Sequence, residues 1–179
     1  MSREVRRVPP DWQHPKRTEL RLRLGRGMTY EEEYHPMHDE SYTEAATRWL
    51  ADLAAFEAKD SPDKARAMEE GIQFFWDWDG MPPDKAYYFP EWPPESRTHY
   101  QMYETTSEGT PISPVMAGPE ELARWLADNK ASAFGGMTAT YEQWLKMIIG
   151  PGYSLGSMVM DANTGELISG VAAVSEAEK

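Results

Sequence analysis

Between residues 19 and 24 the chain alternates without a fault: Glu19, Leu20, Arg21, Leu22, Arg23, Leu24. A period of two marks a half-buried strand, so Arg21 and Arg23 are expected to face outward and the leucines inward. Gly25 and Gly27 break the pattern. Tyr30 to Tyr34 (YEEEY) is ambiguous, and Pro36 stops any helix there. The period then changes to that of helices. Ser41-Tyr42-Thr43-Glu44 is a capping box, in which the serine oxygen and the glutamate carboxylate each satisfy a backbone amide of the first turn. It opens a helix to about Ala58 with Ala45, Trp49, Leu53 and Phe56 as its apolar stripe. Ser61-Pro62 starts a second helix, with Ala65, Met68, Ile72 and Phe75 as its buried face. Gly118-Pro119 begins a third (Leu122, Trp125, Leu126), ending near Asn129. Thr140-Tyr141-Glu142-Gln143 caps a fourth (Trp144, Leu145, Ile148) that Gly150-Pro151-Gly152 ends.

The C-terminal region, residues 153–174, reads as a hairpin. Strands at 157–160 and 166–171 flank a turn in which Gly165 takes a positive φ, and the tail from Ser175 should fray. With no repeat and no linker, these elements give an α+β single domain. About four helices pack with a small, mainly antiparallel sheet, and a long ordered loop rich in proline and aromatic residues joins them.

That loop, residues 81–117, holds seven of the fourteen prolines together with Tyr87, Tyr88, Phe89, Trp92, Tyr100 and Tyr103. Proline clusters exclude a long helix, while the aromatics argue against disorder. An ordered recognition surface is therefore expected, with a weakly alternating strand over 98–103. The next seven residues, 104–110, are nearly all small and hydrogen-bonding. Side-chain hydroxyls and free amides of that kind can bind phosphate or a polar ligand, though an internal network that ties down an irregular turn is slightly favoured. Arg97 is the only cation between Lys85 and Arg124, which makes it the natural anion partner. The candidate ligand- or partner-binding residues are thus Trp92, Arg97, Tyr100, Tyr103, Glu104, Thr105, Thr106 and Ser107. Trp76, Trp78 and Trp92 sit at element ends, where tryptophan commonly serves partner contact.

Charge changes the picture at one end. The net charge is −12, yet residues 1–26 carry eight Lys/Arg against three acids, leaving the remainder at −17. A basic arm (residues 1–18, extended around Pro9 and Pro10, with Trp12 anchoring it) is a pattern found in nucleic-acid binders. The acidic body repels DNA, so an arm folded back on its own body is favoured over nucleic-acid binding.

Without cysteine there is no disulfide, thiolate metal site or cysteine nucleophile. No apolar run is long enough to span a membrane, and the start of the chain lacks the apolar core of a signal peptide; the bacterial cytoplasm is the expected setting. His35-Pro36-Met37-His38-Asp39-Glu40 offers part of a zinc ligand set, but Pro36 denies it helical presentation, so a solvated loop is favoured. His99 near Glu104 and Glu108 suits general-base chemistry, but a strand-edge histidine is the plainer reading. No metal, cofactor or catalytic residue is assigned.

Two strings carry a resemblance: REVRRVPPDW with His14-Pro15 at the start, and QMYETTSEGTPISPV through TATYEQWL over residues 101–145. They resemble uncharacterised accessory proteins of bacteriophages, prophages and integrative elements, a family with no established activity to transfer. The resemblance implies a setting, a small protein acting inside a bacterial host, where counter-defence is a common role. The expected function is non-enzymatic binding of a host or phage protein, as a counter-defence inhibitor. The alternative is a small-ligand or nucleotide-signal binder; a metal-dependent or histidine-based hydrolase ranks third.

Overall fold

The computed structural model describes residues 2–23, 27–38, 40–105, 109–160 and 165–176. In chain order the elements are β1 (Arg3–Val8), β2 (Lys16–Arg23), β3 (Gly27–Tyr34), α1 (Tyr42–Glu57), α2 (Pro62–Glu69) and α3 (Phe75–Trp78). Next come β4 (His99–Glu104), β5 (Thr110–Pro111), α4 (Pro119–Asp128), α5 (Tyr141–Ile149), β6 (Tyr153–Ser154), β7 (Met158–Met160), β8 (Leu167–Ser169) and α6 (Gly170–Glu176). The chain is an α+β protein, and α1, α2, α4 and α5 stand where the four helices were expected. Its residues gather into two compact units: unit 1 comprises residues 1–36 and 92–179, and unit 2 residues 37–91. The proline-rich stretch 81–117 is therefore divided between them.

Unit 1 is built on an antiparallel sheet of order β5-β4-β1-β6. Strand β1 runs against β4 from Arg3 opposite Glu104 to Val8 opposite His99. Strand alternation sends Val5, Tyr100 and Met102 to one face, onto a core that includes Leu122, Leu126, Trp144, Met147 and Val171 from α4, α5 and α6. Helix α4 buries Leu122 and Leu126 and α5 buries Trp144 and Ile148 as their spacing predicts, with Trp125 and Leu145 half-buried against the same core and Ala123 and Met147 added to it. The Thr140 capping box forms as expected, its hydroxyl accepting from the Gln143 amide.

Arg3 locks this sheet to the rest of unit 1. Its side chain is buried; Nε donates to the Ser132 carbonyl at 2.7 Å, Nη2 to Ser132 Oγ at 3.2 Å, and Nη1 lies 3.6 Å from the Glu104 carboxylate. Burial lowers the guanidinium's pKa and Glu104 acts to restore it. The remaining described cations of the N-terminal region are also engaged. Arg6 pairs with Glu4, Arg7 donates to Tyr100, Lys16 pairs with Glu32, and Arg17 and Arg21 with Glu19.

Strands β2 and β3 form a separate two-stranded hairpin of eight residues each, so the ambiguous YEEEY run is strand. Here the expectation fails in one respect. The alternation is real, but Leu20, Leu22, Met28 and Tyr30 face solvent, with Leu22 72% and Tyr30 76% exposed. Arg17, Glu19, Glu31 and Glu33 on the opposite face are the half-buried ones. Leu24, Gly25, Arg26 and the Arg23 side chain lie outside the described residues.

In unit 2 the capping box at Ser41 forms with both of its hydrogen bonds, Glu44 N–H to Ser41 Oγ at 3.1 Å and Ser41 N–H to the Glu44 carboxylate at 3.2 Å. Phe56, Ala67 and Phe75 make a small core with Trp49, Leu53, Ile72 and Trp78 around it. The expected face of the second helix is corrected: Ala65 and Met68 are exposed and Ala67 is buried. That face assumed an unbroken helix to Phe75, whereas Gly71 at φ +80° ends it and re-aims the chain toward α3.

At the C-terminus β7 and β8 form the hairpin, with Gly165 at φ +72°; residues 161–164 lie outside the described residues. The second strand is shorter than expected: β8 stops at Ser169, and a short helix, α6, takes Gly170 and Val171 from the expected strand and runs through Ser175, where the tail was expected to fray. Ser175 is buried, its hydroxyl donating to the Ala172 carbonyl and its carbonyl accepting from Lys146 Nζ. Gly170 at the junction is required by space, since a Cβ there would sit 2.2 Å from the Leu155 carbonyl oxygen.

Breaking the Arg3 lock is expected to be costly, because Arg3→Met removes the buried guanidinium that bonds the Ser132 carbonyl and faces the Glu104 carboxylate. Chemical denaturation should show a loss on the order of 3 kcal/mol, with Arg3→Lys recovering only part because it lacks the planar fork. A loss for Arg3→Met within about 0.5 kcal/mol, the range of an ordinary surface substitution, would contradict this role.

Candidate functional site

The second face of the β1–β4 pair carries the site. Tyr103 and Gln101 project from it, with Arg6 lying over the Tyr103 ring at 4.7 Å. Residues 9–15 fold back across this face. The extended run expected around Pro9 and Pro10 is instead a tight turn at Pro10 and Asp11, in which the Trp12 amide donates to the Pro9 carbonyl at 3.2 Å. Trp12 anchors the segment by donating its indole N–H to Tyr103 Oη at 3.0 Å. His14 comes next, buried, with Nδ1 3.3 Å from the same oxygen and Nε2 2.7 Å from the His35 carbonyl.

The proton arrangement is set by the partners. A carbonyl only accepts, so His14 Nε2 carries the proton given to His35. Gln101 Nε2 donates to the Ser113 carbonyl at 2.9 Å, which turns Gln101 Oε1 to Tyr103; the tyrosine hydroxyl donates to it at 2.7 Å. Ser113 Oγ in turn accepts from the Met102 amide. The result is a buried polar relay running Trp12, Tyr103, Gln101, Ser113. Burial pushes the Tyr103 pKa up and the His14 pKa down, and the nearby Arg6 charge adds to the lowering at His14. Both groups are therefore neutral in the folded protein near pH 7.

In front of this relay lies a cleft of about 600 Å³, within the size range of small-molecule pockets. Trp12, Pro15, Tyr34, Pro114 and Val115 supply apolar walls; Gln13, His14, Lys16, Gln101 and Ser113 supply the polar groups. His14 meets Tyr34 edge to face at 5.5 Å, and Lys16 Nζ lies 5.7 Å from the Tyr34 ring centre.

The residues picked from sequence do not form one surface. Tyr100 and Tyr103 are on opposite faces of β4. Tyr103 is fully buried, while the Tyr100 hydroxyl accepts from Arg7 Nη1 at 2.8 Å. Glu104 faces Arg3. Trp92 packs edge to face on Trp12 at 4.7 Å, beside the site. Arg97 is exposed, and its carbonyl accepts from Arg7 Nε at 3.2 Å. Thr105 donates its amide to the Ser2 carbonyl, and Thr106 and Ser107 lie outside the described residues. What sequence reasoning missed is the set Gln13, His14, Lys16, Tyr34, Gln101 and Ser113. The available signal was the spacing of Pro9, Pro10 and Pro15 around Trp12 and His14, a segment too short and rigid to be a free tail.

Among the described residues no group of three or more His, Asp or Glu side chains is placed to hold one metal ion, and no helix is long and apolar enough to cross a membrane. No protein-family model matches the chain, and no similar protein was found among curated proteins or solved structures.

The buried neutral His14 gives a pH dependence of known sign. Its folded pKa lies below the ordinary 6.5, so on acidification the unfolded chain takes up the proton first. Stability from this group is complete above about pH 6.5 and is lost as the pH falls below it. The melting temperature should therefore drop between pH 7 and pH 5, above the range in which ordinary carboxylates titrate. His14→Gln should flatten that slope; an unchanged slope in the variant would contradict the assignment.

Proposed function

We propose that this chain is a non-enzymatic binding protein that engages a protein partner in the bacterial cytoplasm, as accessory proteins of bacteriophages do, with inhibition of a host complex as its effect. One observation carries this reading: the β2–β3 hairpin presents Leu20, Leu22, Met28 and Tyr30 to solvent while its charged face is internally ion-paired. A two-stranded hairpin is marginal in water unless something packs on its apolar face. Contiguous exposed apolar side chains of this kind mark interaction sites, and each Leu or Met fully covered contributes about 1.5–3 kcal/mol. The pairing of the N-terminal cations within unit 1 supports a protein partner over nucleic acid.

The test is capture of a partner from the bacterial host, read by native mass spectrometry. Leu22→Thr and Tyr30→Thr keep strand propensity while removing the apolar surface. Each should weaken capture by roughly 30-fold, as loss of an interface hot spot does, with the melting temperature retained. Undiminished capture by both variants would rule the hairpin out as the binding face.

A second reading is favoured by the cleft at Trp12 and Tyr34, whose floor of buried, oriented polar groups is the arrangement of a small-molecule site. Under it the chain sequesters a small polar ligand such as a nucleotide. A cognate nucleotide at 100 times its dissociation constant should add about 2.7 kcal/mol to stability, a thermal shift that Tyr34→Ala abolishes. A nucleotide panel producing no shift, or a shift that survives Tyr34→Ala, would remove this reading.

A further inference from the structure

Unit 2 carries a surface of a different character. Phe75 is buried against Phe56 and Ala67, and Trp78, three residues on, joins the same cluster. That spacing puts one side of the short helix α3 inward and turns Phe74, Trp76 and Asp77 outward. Phe74 and Trp76 stack with ring centres 4.5 Å apart and planes 9° from parallel, and they remain 48% and 43% exposed. Stacking consumes one face of each ring and leaves the other faces open.

Beside them is a shallow, open cavity of about 370 Å³ lined by Gly71, Ile72, Gln73, Phe74 and Asp77. Three of its features favour a cation. The aromatic faces carry the negative part of the ring quadrupole. Asp77 supplies a carboxylate at the cavity wall. The C-terminal end of α2, where Gly71 and Ile72 close the helix on Met68 and Ala67, adds the negative end of a helix dipole. Over unit 2 as a whole, thirteen Asp/Glu stand against five Lys/Arg, so a positive ligand is also attracted from a distance. Within unit 2 the neighbouring Trp78 already has a cation, the Arg66 guanidinium at 5.8 Å, itself paired with Glu70. Among the described residues no cation lies over Phe74 or Trp76.

We propose that this cavity receives an arginine side chain from a basic segment of a partner protein. The guanidinium lies against Phe74, with Trp76 stacked behind it, and pairs with the Asp77 carboxylate. Arginine fits better than lysine because its flat, weakly hydrated group stacks on a ring while donating in its own plane to a carboxylate. This rests on the reading of the chain as a protein-binding protein and names the chemistry of what it binds.

The probe is an uncharged-ended hexapeptide of alternating glycine and arginine, titrated calorimetrically into the full chain, with the lysine peptide as comparison. Binding of the arginine peptide several-fold tighter than the lysine peptide is expected. Phe74→Ala and Asp77→Asn should each weaken it roughly tenfold, with circular dichroism confirming that both variants fold. Asp60→Asn, which removes the same charge outside the cavity, should leave affinity within twofold. If Asp60→Asn weakens binding as much as Asp77→Asn, the attraction is bulk charge alone and the site is refuted; so it is if neither peptide binds. Leu22→Thr on the hairpin should leave peptide binding intact, so failure of the hairpin reading and failure of this one are separable.

Discussion

Pairing Arg3 with Glu104 and Val8 with His99 brings together strands that are distant in sequence, and such a closure costs chain entropy that contacts on the strand pair must offset. They do so on both faces. One face, through Val5, Tyr100 and Met102, completes the core over α4, α5 and α6. The other is sealed by Trp12 and His14, which reach the Tyr103 hydroxyl from a segment only a few residues beyond β1. Because β4 lies between these two layers, its alternation decides what becomes core and what becomes site. A shift of register by one residue would exchange Met102 for Tyr103 and destroy both layers at once.

Charge is arranged to the same end. The excess of cations near the N-terminus looks in sequence like an arm available to an anionic polymer. In the folded chain these residues pair within unit 1: Arg3 with Glu104, Arg6 with Glu4, Arg17 and Arg21 with Glu19. Unit 2 has too few cations to neutralise itself in this way, so it keeps an acidic surface beside its exposed aromatic stack, the surface we propose for a basic partner. The two units thus offer different chemistries, an apolar hairpin face on one and an aromatic, acidic surface on the other.

The helices were legible because their signals are short-range. Ser41 with Glu44 and Thr140 with Gln143 are three residues apart, and the glycines and prolines at 62, 118, 119 and 150 punctuate them. The existence of β2 was equally plain from its alternation. Its exposed face was not, since alternation shows that a strand has an apolar side and says nothing about what covers it. The site was hidden for a related reason. Trp12 bonds to Tyr103 across ninety-one residues, and no local pattern encodes such a meeting. Tyr100 and Tyr103 both looked like surface aromatics, yet the strand sends them to opposite faces. Helix α6 was missed because Gly170 and Val171 were read as the end of a strand, whereas burial of Val171 against the core makes a helical turn there favourable.

The hairpin face is the point on which the functional reading stands or falls, and amide hydrogen exchange of the free, monomeric protein addresses it directly. With Leu22, Met28 and Tyr30 uncovered, amides of β2 and β3 should exchange orders of magnitude faster than those of β1 and β4, whose pairing is buried on both faces. Addition of a captured partner should then slow the hairpin selectively. If the hairpin amides of the free monomer were already as protected as those of β4, the apolar face would be covered by the chain itself and could not be the surface a partner binds.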